Sequence, residues 1–162
     1  MMPSITRRAA APALVLVLAS AALALGAEVT RESYVAAVEP ICQTNAKANE
    51  KILAGVQSEV RRGKLGPAAA QFAKAGAALK RTLNELRAVP QPQADKPRLT
   101  RWLADIKGEV GLFEATAVDL KAGQKAAAEH NSTRLTSEAN LANNEVLPFE
   151  FRYCRAEPSK FA

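Results

Sequence analysis

The two cysteines, Cys42 and Cys154, are the first candidates for chemistry in this 162-residue chain. They form no Cys-x-x-Cys motif, and nothing beside them in the sequence indicates a lowered thiol pKa, so we do not favour a redox-active pair. An even number of cysteines in an oxidising compartment favours a structural disulfide. A Cys42–Cys154 bridge would close a loop of 112 residues, which the chain-entropy model values at about 4–5 kcal/mol.

His130 is the one histidine of the chain, and it has no partners for catalysis or metal binding at a suitable spacing. A di-iron bundle uses Glu-x-x-His motifs, and the residue three positions before His130 is Ala127. Ser132 lies two positions away, so on a helix it points in another direction and the third member of a triad is also missing. We therefore expect a non-enzymatic protein with no metal and no cofactor.

Asparagine is the feature that a simple helical core explains least. Asn45 and Asn49 lie on the same helical stripe as Cys42, and further asparagines crowd the last helix, among them Asn131 and Asn143. One hypothesis is that the protein is a small-molecule carrier with a polar pocket between the first and fourth helices, lined by Asn45, Asn49 and Asn143. The alternatives are a buried hydrogen-bond network that sets helix register, with Asn131 and Asn143 as partners, or a solvated edge.

An N-terminal secretory signal is the clearest targeting feature. Arg7 and Arg8 precede an apolar stretch over residues 9–25, and small residues follow up to Ala27. We predict a signal peptide over residues 1–27, cleaved after Ala27 or, as second choice, after Ala24. An uncleaved membrane anchor is the alternative. Lipidation would need a cysteine directly after the cleavage site, and the first cysteine comes much later. The predicted location is secreted or at the exterior of the cell envelope.

The remaining residues 28–162 are predicted to form a single domain with a modest positive charge. They carry 20 basic and 16 acidic side chains, a net charge of +4. The few aromatic residues do not alternate with basic ones, which argues against nucleic acid as a partner. We expect binding to an anionic cell-envelope polymer or another envelope protein. The candidate contacts for an anionic partner are Arg61, Arg62 and Lys64 at one helix junction and Arg152, Arg155 and Lys160 near the C-terminus.

Helical periodicity dominates this domain and predicts the elements that position these residues. The spacing predicts helices over residues 30–62, 67–89, 95–123 and 125–147. Pro40 should kink or break the first helix, and Asp95 is a candidate N-cap for the third. The third helix has the clearest buried stripe, and its charged residues Arg101, Asp105, Glu109 and Lys121 fall outside it. The stripe consists of Leu99, Leu103, Ile106, Val110, Phe113, Ala117 and Leu120.

Four helices with short links predict an all-α fold, an up-down four-helix bundle. Pro148 should end the last helix, and an extended tail containing Phe149, Phe151 and Tyr153 would return Cys154 to Cys42. Cys42 would then face the bundle from the first helix.

Several short motifs together resemble small secreted or lipid-anchored helical proteins of high-GC actinobacteria. The chain differs from the lipid-anchored members because it has no anchoring cysteine. The resemblance implies a helical fold, export and the Cys42–Cys154 bridge, and it implies no catalytic residue. The motifs are Tyr34-Val35, Ile41-Cys42, the asparagines of the first helix, Arg101-Trp102-Leu103 and Phe151-Arg152-Tyr153-Cys154.

Overall fold

The computed structural model describes residues 28–157, and the predicted signal peptide and Lys160 lie outside them. Over this range the chain contains helices and irregular segments and no strand, which confirms the all-α prediction. The helices are α1 Arg31–Ile52, α2 Val56–Arg61, α3 Leu65–Ala88, α4 Lys96–Lys121 and α5 Lys125–Glu145, with 3-10 turns at Gln93–Asp95 and Leu147–Phe149.

Helix α4 is the centre of the bundle and packs along both α3 and α5. Every residue of its predicted stripe is buried, and Trp102 beside the stripe is 1% exposed. Close packing with α3 depends on Gly76, because an added Cβ there would lie 3.0 Å from the Cβ of Phe113. Since short links join α3, α4 and α5, these helices run antiparallel in turn.

The first predicted helix breaks at a different position from the one expected. Helix α1 continues through Pro40 and ends at Ile52, and α2 begins only at Val56. The chain turns at Gly55, which has a φ of 77° in the left-handed region that favours glycine. A break at Pro40, one of the two outcomes expected there, is therefore wrong. The chain instead turns at Gly55, between the end of α1 and the start of α2.

Asp95 precedes α4 as predicted but does not cap it through its side chain. Its carboxylate instead accepts two hydrogen bonds from Arg31, at 2.7 and 3.0 Å. This bidentate ion pair joins the start of α1 to the start of α4, and it lowers the pKa of Asp95.

The C-terminal tail, residues 147–157, closes the bundle. Helix α1 packs on α3, but within residues 28–157 it is not among the helices that pack along α5. Aromatic rings of the tail fill the gap: Phe149 lies 6.2 Å from Tyr34 and Phe151 lies 5.6 Å from Trp102, between ring centroids. The predicted extended tail therefore starts with a 3-10 turn and then continues without regular structure.

Three polar or covalent links hold this tail in place. The predicted disulfide is present and joins Cys42 of α1 to Cys154, with 5.0 Å between the two Cα atoms. The Glu39 carboxylate accepts hydrogen bonds from the backbone N–H groups of Arg152 and Tyr153, at 2.8 and 3.1 Å. The side chain of Asn143 makes two hydrogen bonds of 2.8 Å with the backbone of Ala156.

Among the helices between residues 28 and 157, none combines the length and apolar composition that a membrane span requires.

Replacing both Cys42 and Cys154 by serine should lower the free energy of unfolding by about 2–5 kcal/mol, because the unfolded chain loses its long closed loop. Urea unfolding monitored by circular dichroism measures this difference. Wild-type protein treated with reductant should unfold at the same urea concentration as the double variant. Equal stability of the oxidised wild type and the variant would contradict this prediction.

Candidate functional site

A small cavity lies beneath the tail, between α1, α3, α4 and α5, and is called the polar cavity below because asparagine, threonine and glutamate side chains interrupt its mainly apolar lining. Its volume is about 80 Å³, and its lining includes all three asparagines predicted to form a ligand pocket, Asn45, Asn49 and Asn143. Thr82 of α3 and Glu109 of α4 complete its polar lining. Asn45 and Asn49 reach the cavity together because they are one turn apart on α1.

The three asparagines differ in their hydrogen bonding. Asn143 binds the tail through both its amide nitrogen and its oxygen, so it has a structural partner. Asn131 donates a hydrogen bond of 2.8 Å to Asp119 of α4. The side-chain oxygens of Asn45 and Asn49 are buried without a hydrogen-bond partner among residues 28–157. The alternative of a network with Asn131 and Asn143 as partners of Asn45 and Asn49 is therefore not observed.

Glu109 is the residue of this cavity that the sequence analysis placed wrongly. It was expected outside the buried stripe of α4, but it is only 5% exposed. The spacing contains a signal for this position, because Glu109 lies seven residues, or two turns, after the buried Trp102. It also lies seven residues before Thr116, which is 1% exposed. The buried face of α4 is thus wider than its regular stripe.

The pKa of Glu109 is raised to about 8, first by burial and then by the nearby charges of Asp105 and Glu138. The pKa of Asp105 is also raised, first by burial and then by Glu138 and Glu145. Within the described part of the chain, the groups that act on Glu109 include no hydrogen-bond donor and no cation. At neutral pH the carboxyl is therefore mostly protonated, because no cation offsets the loss of hydration.

A larger, apolar cavity lies at the opposite end of the bundle, between α2 and α5. Its volume is about 570 Å³, within the range of small-ligand sites. Val56 and Val60 of α2 form one wall, and Phe72 and Leu120 contribute from α3 and α4. The wall from α5 consists of small residues that leave this space open: Ala128, Ser132, Thr133 and Thr136.

The rim of the apolar cavity carries charged side chains. Arg61 at the end of α2 faces Lys125 and Glu129 at the start of α5. Lys125 lies 3.6 Å from Glu129 in an exposed ion pair. Arg61 is exposed, so its charge is accessible at the mouth of the cavity.

The basic residues predicted to contact an anionic partner form two separate groups. Arg61, Arg62 and Lys64 are exposed where α2 meets α3. Arg152 and Arg155 are exposed in the tail, whose backbone at residue 152 binds Glu39 in the middle of α1. The helical rise places Glu39 about 20 Å from the end of α1 that leads to α2. Contact of either group with an envelope polymer stays a prediction.

His130, the one histidine of the chain, lines neither the polar nor the apolar cavity. His130 is exposed at the start of α5, as expected from its polar surroundings. Over residues 28–157, no three or more His, Cys, Asp or Glu side chains converge in a way that could hold a metal ion.

Comparison of the chain with protein-family models, with curated proteins and with solved structures finds no match. The resemblance to small exported proteins of actinobacteria therefore stays a prediction. The two cavities are the observations on which a function can rest.

Replacing Glu109 by glutamine should make the protein more stable at alkaline pH. The folded-state pKa of about 8 is above the ordinary value of 4.5, so the native state keeps a proton that the unfolded state has lost. Wild-type stability should therefore fall as pH rises from about 4.5 to 8, by up to about 4–5 kcal/mol, and then level off. Urea unfolding of both proteins between about pH 5 and 9 measures the difference.

The control for this experiment is Glu114→Gln, which removes a glutamate from α4 whose side chain is 54% exposed. Its stability curve should run parallel to that of the wild type across the pH range. A parallel curve for Glu109→Gln as well would show that Glu109 is ionised without cost and would contradict its burial as an isolated carboxyl.

Proposed function

We propose that this protein is an exported, non-enzymatic carrier that binds a small amphiphile with an anionic head group in the apolar cavity. The observation that carries the proposal is the cavity itself. It has a volume of about 570 Å³ and a mainly apolar lining, in a domain of modest size. The role of a small-molecule carrier was one of the two expected from the sequence. The site proposed for it here is at the other end of the bundle from the asparagines.

The lining of the apolar cavity favours a ligand with an apolar part. Val56, Phe72, Leu120 and Ala128 are all less than 9% exposed to solvent, and they form the inner surface of the cavity. Apolar surface gains about 25 cal/mol for each Å² that is removed from water. A hydrocarbon chain or ring system placed against these residues would bury its own surface together with theirs.

The positive charges at the rim of the apolar cavity favour an anionic head group. Arg61 stands at the mouth, and a guanidinium binds a carboxylate or phosphate through two parallel hydrogen bonds. Lys125 on the opposite wall adds a second positive charge, which Glu129 partly offsets. An amphiphile whose hydrocarbon part points into the cavity would thus bring its charge beside Arg61.

Export is supported by two features of different kinds. Residues 1–27 have the composition of a secretory signal, and the Cys42–Cys154 disulfide is a bond typical of oxidising compartments. An exported protein that shields apolar surface could move a poorly soluble molecule through an aqueous space.

Filling the apolar cavity should abolish amphiphile binding. Thr136 is half-buried and lines the cavity, so in Thr136→Trp the indole should occupy the ligand space. The probe is a dansylated undecanoic acid, whose fluorescence rises when it enters an apolar site. We expect saturable binding to the exported, oxidised wild type and at least a tenfold loss in the variant. The matched control is Val118→Trp, because Val118 of α4 is 65% exposed and outside the cavity.

If Thr136→Trp does not fold, Gln57→Trp fills the cavity from the α2 wall and serves the same purpose. Wild-type protein that binds neither the dansylated probe nor a fatty acid would overturn the proposed function. Unchanged binding by a folded cavity-filling variant would place the ligand elsewhere.

Replacing Arg61 by glutamine should weaken binding of a fatty acid but not of the alcohol with the same chain length. A charged contact at a solvent-exposed rim contributes up to about 1 kcal/mol, so the expected loss is about fivefold. Arg62→Gln is the control, because Arg62 is its exposed neighbour but does not line the cavity. Displacement of the fluorescent probe measures the affinity of each ligand for the wild type and for both variants. Equal losses for acid and alcohol would show that Arg61 does not contact the head group.

A further inference from the structure

The polar cavity combines buried acceptors that have no donor. Asn49 is 9% exposed, and its side-chain oxygen is without a partner among the described residues. The side-chain oxygen of Asn45, one turn earlier on α1, is in the same state. Glu109 adds a carboxyl group from the opposite side, on α4. A buried polar atom that lacks a partner costs stability, so an occupant that supplies donors would be favoured.

The charged groups that act on Glu109 in this cavity are all acidic. The residues that line it from α1, α3, α5 and the tail carry no charge, and Glu109 is its one ionisable acid. The groups that act on Glu109 from outside are Asp105 of α4 and Glu138 of α5, and both are acidic. Positive charge in the cavity would therefore be attracted by all three carboxyl groups.

The size of the cavity limits what can enter. A volume of about 80 Å³ has room for a few water molecules or for one ammonium group on a short carbon stem. A guanidinium group is planar and brings five N–H donors, more than the unpaired acceptors available here. A calcium ion takes six to eight oxygen ligands, usually from several carboxylates, whereas one carboxylate lines this cavity.

We propose that the polar cavity is a binding site for the primary ammonium group of a small amine. The three N–H donors of the ammonium group match the three acceptors, the oxygens of Asn45 and Asn49 and the carboxylate of Glu109. The tail holds the site closed from the side of Asn143, whose amide binds Ala156. This site is separate from the apolar cavity and does not depend on the function proposed for it.

Binding of a cation requires the ionised form of Glu109, so proton balance gives the site a characteristic pH dependence. When an ammonium ion enters, the protonated carboxyl releases one proton to solvent and the carboxylate pairs with the ion. Since the pKa of Glu109 is about 8 in the empty site, apparent affinity should fall about tenfold for each pH unit below that value.

The test uses methylammonium chloride, with potassium chloride at equal ionic strength as reference and the oxidised protein at pH 8.5. A probe of two heavy atoms binds in about the millimolar range at best, so concentrations up to roughly 100 mM are needed. We expect the melting temperature to rise by about 4 °C when the probe reaches ten times its Kd. The rise should disappear in Glu109→Gln and persist in Glu114→Gln. It should also persist in Thr136→Trp, which fills the other cavity.

Two further comparisons decide the chemistry of the occupant. Tetramethylammonium has the same charge and no N–H donor, so it should produce no rise. The effect of methylammonium should be much smaller at pH 6 than at pH 8.5. The proposal is overturned if methylammonium and potassium act alike, if tetramethylammonium acts like methylammonium, or if Glu109→Gln keeps the response. If Glu109→Gln does not fold, the comparison of the two ammonium ions with wild-type protein is sufficient.

Discussion

The attachment of the C-terminal tail to α1 is the constraint on which the rest of this bundle depends. Helices α3, α4 and α5 pack successively, but α1 rests on α3 and does not pack along α5. The Cys42–Cys154 bridge and the hydrogen bonds from the tail backbone to Glu39 close that open side. Phe149 and Phe151 then complete the core from outside the helices. A covalent bond between distant parts of the chain thus holds α1 and the tail together.

The tail lines one of the two cavities and not the other. Near Cys42 the tail covers the bundle and leaves only a small polar space beneath it. The tail does not line the space at the other end of the bundle, where α2 stands opposite α5 and the larger apolar cavity lies between them. The short helix α2, which forms one wall of this opening, begins directly after the turn at Gly55.

Paired and unpaired acids show how the fold treats charge. Asp95 and Glu145 each pair with an arginine, Arg31 and Arg101, and the pKa of each acid is lowered. Glu109 is buried with no cation beside it, and its pKa is raised instead of lowered. An isolated buried carboxyl at the centre of α4 costs stability, because nothing beside it offsets the loss of hydration.

Local patterns in the sequence determined the helices and their buried faces. The stripe of α4 and the pairing of the two cysteines could both be predicted, because they follow from helical geometry and from the count of cysteines. The position of the helix break could not be predicted, because Pro40 is tolerated inside α1 and Gly55 turns the chain instead.

Only the tertiary structure decided which cavities lie between the buried faces of the helices and which side chains line them. The asparagines of α1 could be predicted as candidates, but their lack of partners depends on where Asn131 and Asn143 find other contacts. The burial of Glu109 and the apolar cavity both depend on how distant helices pack. Periodicity specifies which side of one helix is buried. The space between helices is set by contacts among residues far apart in the chain, which no local pattern contains.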